Sequence, residues 1–381
     1  MPNSKKIFFP NLDGLRFIAF SMVFIAHIQG NGFRIPDIEN IYLRKFLLLF
    51  ANGKTGVSIF FVLSGFLITY LILSEIKLNG RLDVIKFYIR RTLRIWPLYF
   101  LLLVLIFGVL PISMRLFHQD WNQFDMEPWY YFVFLSNFDV LHILLKKGND
   151  MAASSLTWSV SIEEQFYLVW PLLFIILKKN FYKFIFPAFI ILCYVFRCMY
   201  SDSEPVLYFH TISVCGDLAL GGWAAYLSIN NERFRDFFRD QKYTLRICTY
   251  ALSIILLYCI QFGTHPMFLV FGRLLQSLFF AYVILDQNFN LQTKWKLSNN
   301  KFISFWGKYT YGLYLWHAFV LMIVNIVVHK LLHFPSDNVI VHIAVAVIGL
   351  VFSLVVSYYC YHWYEARFLK LKDKFSFIHK E

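Results

Sequence analysis

Apolar residues in this chain come in unbroken blocks of about 20, separated by short stretches rich in Lys, Arg, Asn and Asp. A helix crossing about 30 Å of hydrocarbon needs roughly 20 mostly apolar residues. Ten blocks meet that length, at residues 14–33, 52–75, 92–112, 158–178, 182–200, 206–228, 243–262, 266–286, 306–329 and 338–363. They predict an all-α fold, a polytopic membrane bundle of about ten transmembrane helices. The stretch 113–157 breaks the pattern, with Asp120, Trp121, Asp125, Glu127, Pro128, Asp139 and Asp150 around a short apolar piece, Trp129 to Phe138. That piece reads as extracytoplasmic, interfacial or re-entrant. No internal repeat, low-complexity tract or soluble domain interrupts the chain, so residues 1–381 read as a single membrane domain.

Composition agrees. Hydrophobic residues make up 59% of the 381 positions and charged residues 15%, against about 25% charged in a soluble domain. Disorder is excluded, since disordered chains are poor in apolar and aromatic residues, and 44 positions here are Phe. The formal net charge of +13 has no zinc-finger spacing, RNA-binding motif or polybasic arm beside it, so no nucleic-acid partner is expected. The six cysteines lie in or beside apolar runs without a CxxC pair and read as small core residues. The opening MPNSKKIFFPNLDG lacks a small-residue cleavage site, so no signal peptide is expected.

The basic excess has a use in orientation, because Lys and Arg collect on the cytoplasmic side of a membrane protein. With Lys5 and Lys6 inside, the cytoplasmic loops receive Arg81, Lys86, Arg90, Arg91 and Arg94, then Lys178, Lys179 and Lys183. They also receive Arg233, Arg235, Arg239, Lys242 and Arg246, then Lys294, Lys296, Lys301 and Lys308, and the tail Lys370, Lys372 and Lys374. Arg273 is left without a side. Counting 129–138 as a full crossing would reverse every later loop and spoil this asymmetry. Ten crossings with both termini cytoplasmic is the expected topology.

An ionisable residue within a span costs several kcal/mol or demands a partner, so it is a functional candidate by default. Four groups qualify. Span one carries Leu12-Asp13-Gly14-Leu15-Arg16 and then His27. Eleven residues at 100° each close about three turns, which puts Arg16 and His27 on one face, roughly 16 Å apart along the axis. Arg16 then stands near the cytoplasmic boundary and His27 near mid-membrane, where an imidazole can take a hydroxyl proton and return it. A core histidine bonded to a neighbouring helix is the plain alternative. Second, Arg90-Arg91-Thr92-Leu93-Arg94 presents a basic face at the mouth of span three. Guanidiniums at that spacing suit phosphates, although ordinary positive-inside anchoring produces the same pattern.

Third, Trp158-Ser159-Val160-Ser161-Ile162-Glu163-Glu164-Gln165-Phe166-Tyr167 opens span four. Ser159, Glu163 and Tyr167 fall at i, i+4 and i+8 on one stripe. The adjacent carboxylates point apart and so do not form an acid/base dyad; one is placed to orient His27 and the other to face the outer vestibule, or both serve a polar helix start. Fourth, Tyr311-Gly312-Leu313-Tyr314-Leu315-Trp316-His317 puts Tyr314 and His317 on one face of span nine, for substrate or for inter-helix hydrogen bonds. His118, His142, His210 and His265 lie near loops without ligand spacing, so no metal is assigned.

These groups, in this order, resemble the acyltransferase 3 family of bacterial membrane O-acyltransferases. The resemblance covers nearly the whole chain. It rests on LDGLR with Arg16, ten residues and His27; on Gly56-Val57-Ser58-Ile59-Phe60-Phe61-Val62-Leu63-Ser64-Gly65-Phe66 in span two; and on RRTLRIWP, WSVSIEEQFY and YGLYLWH. It implies transfer of an acyl group, usually acetyl, from cytoplasmic acyl-CoA as co-substrate to a hydroxyl of an extracytoplasmic glycan or its lipid-linked precursor at the cell inner membrane. It places the catalytic histidine at His27; Glu163 or Asp13 is expected to orient or polarise the site. Arg16, Arg91 and Arg94, with Arg90 beside them, would hold the CoA phosphates. Trp158, Tyr314, His317 and Ser64 are the expected substrate-binding positions. Two departures stand out. Many relatives continue into a periplasmic SGNH esterase-like domain, whereas this chain stops soon after span ten; a second catalytic domain is expected to be absent or supplied by another protein. The family's late Glu-x-Pro is here Glu365-Ala366-Arg367, so Glu365 is given no role.

A flippase for a lipid-linked saccharide is the rival class, since such proteins also have many spans and buried charges. Transporters of this kind often carry paired repeats broken at corresponding Gly or Pro positions, and no such match appears between the two halves. The acceptor, the length of the acyl group, direct transfer against an acyl-histidine, and assembly as monomer or homo-oligomer stay open at this level.

Overall fold

The computed structural model describes residues 9–30, 40–116, 126–147, 156–263, 265–335 and 338–377. Lys5, Lys6, His118, Asp120, Trp121, Asp125 and Asp150 lie outside them. Among the described residues all regular structure is helical, and ten helices are long and apolar enough to cross a membrane. They are built on α1 (Pro10–Gly30), α2 (Gly53–Asn79), α3 (Val84–Val104), α4 (Thr157–Ile176), α5 (Tyr182–Met199), α6 (Thr211–Asn230), α7 (Tyr243–Phe262), α8 (Pro266–Phe289), α9 (Thr310–Asn325, carried on by a π-helical stretch, Ile326–Leu331) and α10 (Val339–Cys360).

Two boundaries differ from expectation in ways that matter for chemistry. Helix α3 begins at Val84 rather than 92, because Asp83 caps it: its side chain accepts from the Lys86 N–H at 3.0 Å. That hydrogen bond holds the Asp83 carboxyl below its ordinary value. The arginine cluster therefore lies two turns inside a helix instead of at its mouth. Helix α1 runs Pro10–Gly30, four residues earlier than the apolar block suggested, because Asn11 and Asp13 are accommodated within it. His27 consequently stands in its last turn, about 10 Å beyond the helix midpoint.

The chain divides into two compact units. The first comprises Met1–Val23, Asn40–Leu82 and Phe166–Lys308; the second comprises Phe24–Glu39, Asp83–Gln165 and Tyr309–Glu381. In the first unit α2 and α6 approach at backbone distance. A Cβ added at Gly65 would lie 1.9 Å from the Leu218 carbonyl oxygen, and one at Gly221 2.0 Å from that of Val62. Small residues permit such contact in a membrane bundle, where association depends on close van der Waals packing. Val62, Leu63, Phe66, Leu220, Ala224, Ala225, Phe280 and Ile284 fill the core around this seam.

Charges inside that unit are paired. Arg273, which the charge count could not place, donates to Asp217 from Nε at 2.8 Å, and Ser58 and Ser277 donate to the same carboxylate at 3.0 and 2.7 Å. Arg197 lies within electrostatic reach of Asp217 and donates to the carbonyls of Val270, Leu207 and Leu269 and to Ser213 Oγ. Both arrangements answer the cost of a buried charge with several partners at once.

In the second unit the 129–138 piece does not cross. It forms two short helices, Pro128–Phe132 and Ser136–Lys147, broken at Phe134 with φ 57°. A bulky residue in the left-handed region needs support. Gln165 Nε2 donates to Phe134 O and to Asn137 Oδ1, each at 2.8 Å, and the Phe134 ring stacks on Tyr99 at 4.6 Å. Tyr99 Oη donates to Tyr131 O at 2.8 Å, and the Ser136 and Ser161 hydroxyls meet at 2.7 Å. The segment is thus fastened to α3 and α4, and Ser136, Asn137 and Asp139 are buried in it.

Candidate active site

The first turns of α1 hold an acid and a base three residues apart, and they join: Arg16 Nη1 donates to Asp13 Oδ1. Asp13 and His27 are separated by 14 residues of helix, about 21 Å along the axis. The carboxylate therefore steadies the guanidinium and does not reach the imidazole. A close approach fixes this end of α1 in the first unit, since a Cβ at Gly307 would lie 2.1 Å from the Asp13 carbonyl oxygen. Asn11 also donates to Gln287 O and accepts from the Ser298 N–H.

At the other end of α1 the half-buried His27 belongs to the second unit and meets α9. His317 Nε2 lies 3.2 Å from His27 Nδ1, with ring centroids 5.1 Å apart. His317 is fully buried, and its Nδ1 lies 3.0 Å from the Leu313 carbonyl oxygen. Phe24 and Tyr314 flank its ring at 6.1 and 5.9 Å. Tyr314 Oη is 2.7 Å from Ser159 Oγ on α4, and Glu163 is within electrostatic reach of Tyr314. Residues from α1, α4 and α9 that are far apart in sequence are thus gathered around one imidazole, as the 3.6-residue period of each helix allows. His317, expected against substrate, has no exposed surface and contacts His27 instead.

The stripe Ser159, Glu163, Tyr167 forms along α4, but its residues have different partners. Tyr167 Oη is hydrogen-bonded to Ser64 Oγ on α2 within the first unit. Ser64 is therefore occupied by a tyrosine. Trp158 is buried at the start of α4.

The three arginines of α3 also separate. Arg90 Nη1 donates to Phe375 O at 2.9 Å and its guanidinium covers the Phe377 ring at 5.4 Å, so the C-terminal segment engages it. Arg91 is electrostatically coupled to Glu164, and Arg94 to Glu365. Those two carboxylates are what sequence reasoning missed. Glu164 Oε2 accepts from Trp96 Nε1 at 2.9 Å while its Oε1 is buried without a hydrogen-bond partner. Glu365 is 8% exposed, in a π-helical turn at Tyr361–Glu365, and its Oε1 has no hydrogen-bond partner. A Cβ at Gly312 would come within 3.2 Å of that oxygen, so the glycine of α9 makes room for it. The available signal was Gly312 in the YGLYLWH run; the altered Glu-Ala-Arg sequence pointed away from it. Among the described residues no cluster of His, Cys, Asp and Glu is arranged to hold a metal ion.

Ten membrane-length helices among the described residues, carrying histidines, carboxylates and arginines, set the site in a membrane protein, and the sequence of the chain matches known proteins. The chain belongs to the acyltransferase 3 family, whose profile, described as Acyltransferase domain, matches residues 9–362. Among curated proteins it is similar to the peptidoglycan O-acetyltransferase OatA of Listeria monocytogenes, at 27% identity over 81% of this chain and 48% of that protein. A putative peptidoglycan O-acetyltransferase of Bacillus subtilis, YrhL, is 27% identical over 83% of this chain and 49% of its own length. A putative O-acetyltransferase of Staphylococcus aureus strain COL is 28% identical over 84% of this chain and 52% of its own. The chain spans about half the length of these relatives. No solved structure matches it.

Proposed function

We propose that this protein is an integral-membrane O-acyltransferase that moves an acyl group, acetyl in the first instance, from cytoplasmic acyl-CoA to a hydroxyl of an extracytoplasmic glycan. Its place is the plasma membrane, with both termini inside. The relatives are named for peptidoglycan O-acetylation, which favours a cell-wall glycan over a secreted polysaccharide or a small metabolite as acceptor. The observation that carries the reading is His27 held against His317 in a helix that also bears the Asp13–Arg16 pair.

The donor's phosphates are assigned to Arg16, Arg91 and Arg94, and its pantetheine arm runs toward His27. Because His27 stands toward the C-terminal end of α1, the thioester reaches past the midplane and the acceptor has the shorter path. His27 takes the acceptor hydroxyl's proton as that oxygen bonds to the thioester carbonyl carbon. Collapse of the tetrahedral adduct breaks the C–S bond, and the imidazolium returns the proton to the CoA thiolate. The products are the glycan ester and free CoA. Glu163 is assigned to the acceptor side of this site.

The test is incorporation of label from radiolabelled acetyl-CoA into cell-wall glycan by membranes carrying wild type or His27→Ala at matched expression. General-base catalysis contributes about 10²–10⁴-fold, and a loss of that size is expected. Normal labelling by the variant would remove His27 from catalysis, and glycan export without any CoA dependence would favour a transporter. Stable label on the enzyme in the absence of acceptor would replace direct transfer by an acyl-histidine route.

A further inference from the structure

We infer that His317 is a positioning residue that fixes the tautomer of His27, so that the basic lone pair of His27 sits on Nε2. The inference rests on the reading of His27 as general base and adds the group that orients it.

The argument follows hydrogen-bond polarity along one line of atoms. A carbonyl oxygen only accepts, so the 3.0 Å contact to Leu313 O requires His317 Nδ1 to carry a proton. His317 is wholly buried among α9 neighbours and Phe24, where a charged ring is costly and the neutral form is the one at rest. A neutral imidazole with its proton on Nδ1 presents a lone pair on Nε2. That Nε2 lies 3.2 Å from His27 Nδ1, so His27 must donate there. With the Nδ1 proton committed to His317, neutral His27 has its accepting nitrogen at Nε2. One backbone carbonyl of α9 thereby dictates, through two rings, which atom of α1 accepts the substrate proton. The second ring nitrogen of a catalytic histidine sets the protonation of the first in this way. His317 does here what a carboxylate does in other histidine sites, without adding a charge. Tyr314, three residues before His317, stands beside the pair, and Glu163 lies within electrostatic reach of Tyr314.

During transfer the proton received at Nε2 makes His27 an imidazolium, which keeps donating from Nδ1 to His317. When Nε2 releases that proton to the departing thiolate, the starting tautomer returns. No proton needs to leave along His317, whose own proton stays on Nδ1, hydrogen-bonded to Leu313 O.

The experiment has two arms on the detergent-purified full chain. In the first, ¹⁵N-histidine spectra, assigned to the pair with His27→Ala and His317→Leu, report which nitrogen carries hydrogen. Wild-type His27 is expected with pyrrole-type Nδ1 and pyridine-type Nε2; the reverse assignment overturns the inference. In the second, turnover is compared among wild type, His317→Leu and His317→Gln. Leucine has no acceptor, and loss of an orienting partner of this kind costs on the order of 10–100-fold in activity. The loss is expected in kcat, with KM for acetyl-CoA unchanged, and the Gln variant, whose Oε1 can accept the same proton, recovers most of it. Equal losses in both variants, or wild-type kcat in His317→Leu, would reduce His317 to packing. The outcomes separate from those of the function itself. An active His27→Ala protein ends the general-base reading and leaves the tautomer standing, whereas inactive His27→Ala with fully active His317→Leu ends only this inference.

Discussion

Arg91 and Arg94 lie within electrostatic reach of the Glu164 and Glu365 carboxylates, and the proposed function sets a second claim on them, the phosphates of a donor. The claims make different predictions at the level of single side chains. A hydrogen bond to a charged group is worth about 1.5–3 kcal/mol, so removing a phosphate ligand by Arg94→Ala is expected to raise KM for acetyl-CoA about 10–100-fold with little change in kcat. If Arg94 serves instead as counter-charge to Glu365, the double variant Arg94→Ala, Glu365→Gln restores KM, because the uncompensated carboxylate has gone. A double-mutant cycle on KM decides between them, and persistence of the defect in the double variant is the expected result. The same cycle tests whether Glu365 belongs to the donor site at all. The sequence reading assigns Glu365 no role for a local reason, since the motif there lacks its proline, whereas its burial beside Gly312 and Arg94 is a product of tertiary packing.

At the scale of helices, the contact of α2 with α6 is set by two glycines whose missing side chains let one backbone touch the other. Gly65→Ala places a methyl 1.9 Å from the Leu218 carbonyl oxygen, and neither backbone can yield without moving its helix. Overpacking of this kind costs about 1–3 kcal/mol and occasionally more. The expected outcome is a lower thermal midpoint in detergent and a reduced yield of monodisperse protein. By contrast Gly80→Asn is expected to be tolerated, since nothing lies within 4 Å of an added Cβ there and Asn accepts its φ of 76° better than other residues. A wild-type midpoint for Gly65→Ala would mean that the α2–α6 seam is looser than described. Helix α3 shows the limit of reading elements from hydropathy alone. Its apolar block begins near 92, but the Asp83 cap starts the helix at Val84 and carries the arginines inside it. Capping is a local hydrogen bond, and no window of hydrophobicity registers it.

For the molecule as a whole, the proposed orientation rests on the loop charges. Ten crossings with an inside N-terminus return the C-terminus to the cytoplasm, so a fluorescent protein fused after Glu381 is expected to fluoresce and an alkaline phosphatase fused there to be inactive. Active phosphatase would mean an odd number of crossings. The two short helices at 128–147, fastened by Gln165 and Tyr99 rather than extended through lipid, are the structural counterpart of keeping that number even. The number and approximate places of the membrane-length helices were legible in the chain because the cost of exposing polar groups to hydrocarbon acts on composition, residue by residue, without reference to neighbours. Arg16 and His27 shared a helix face for the same reason, since helical period is a local property. What only the tertiary structure decided is partnership: that His27 faces His317, that Ser64 is taken by Tyr167, and that Glu164 and Glu365 stand within electrostatic reach of Arg91 and Arg94. Those pairings join residues as much as 290 positions apart, and they depend on how helices rotate against one another. Rotation is governed by close packing at a few small side chains and leaves no periodic trace in the sequence.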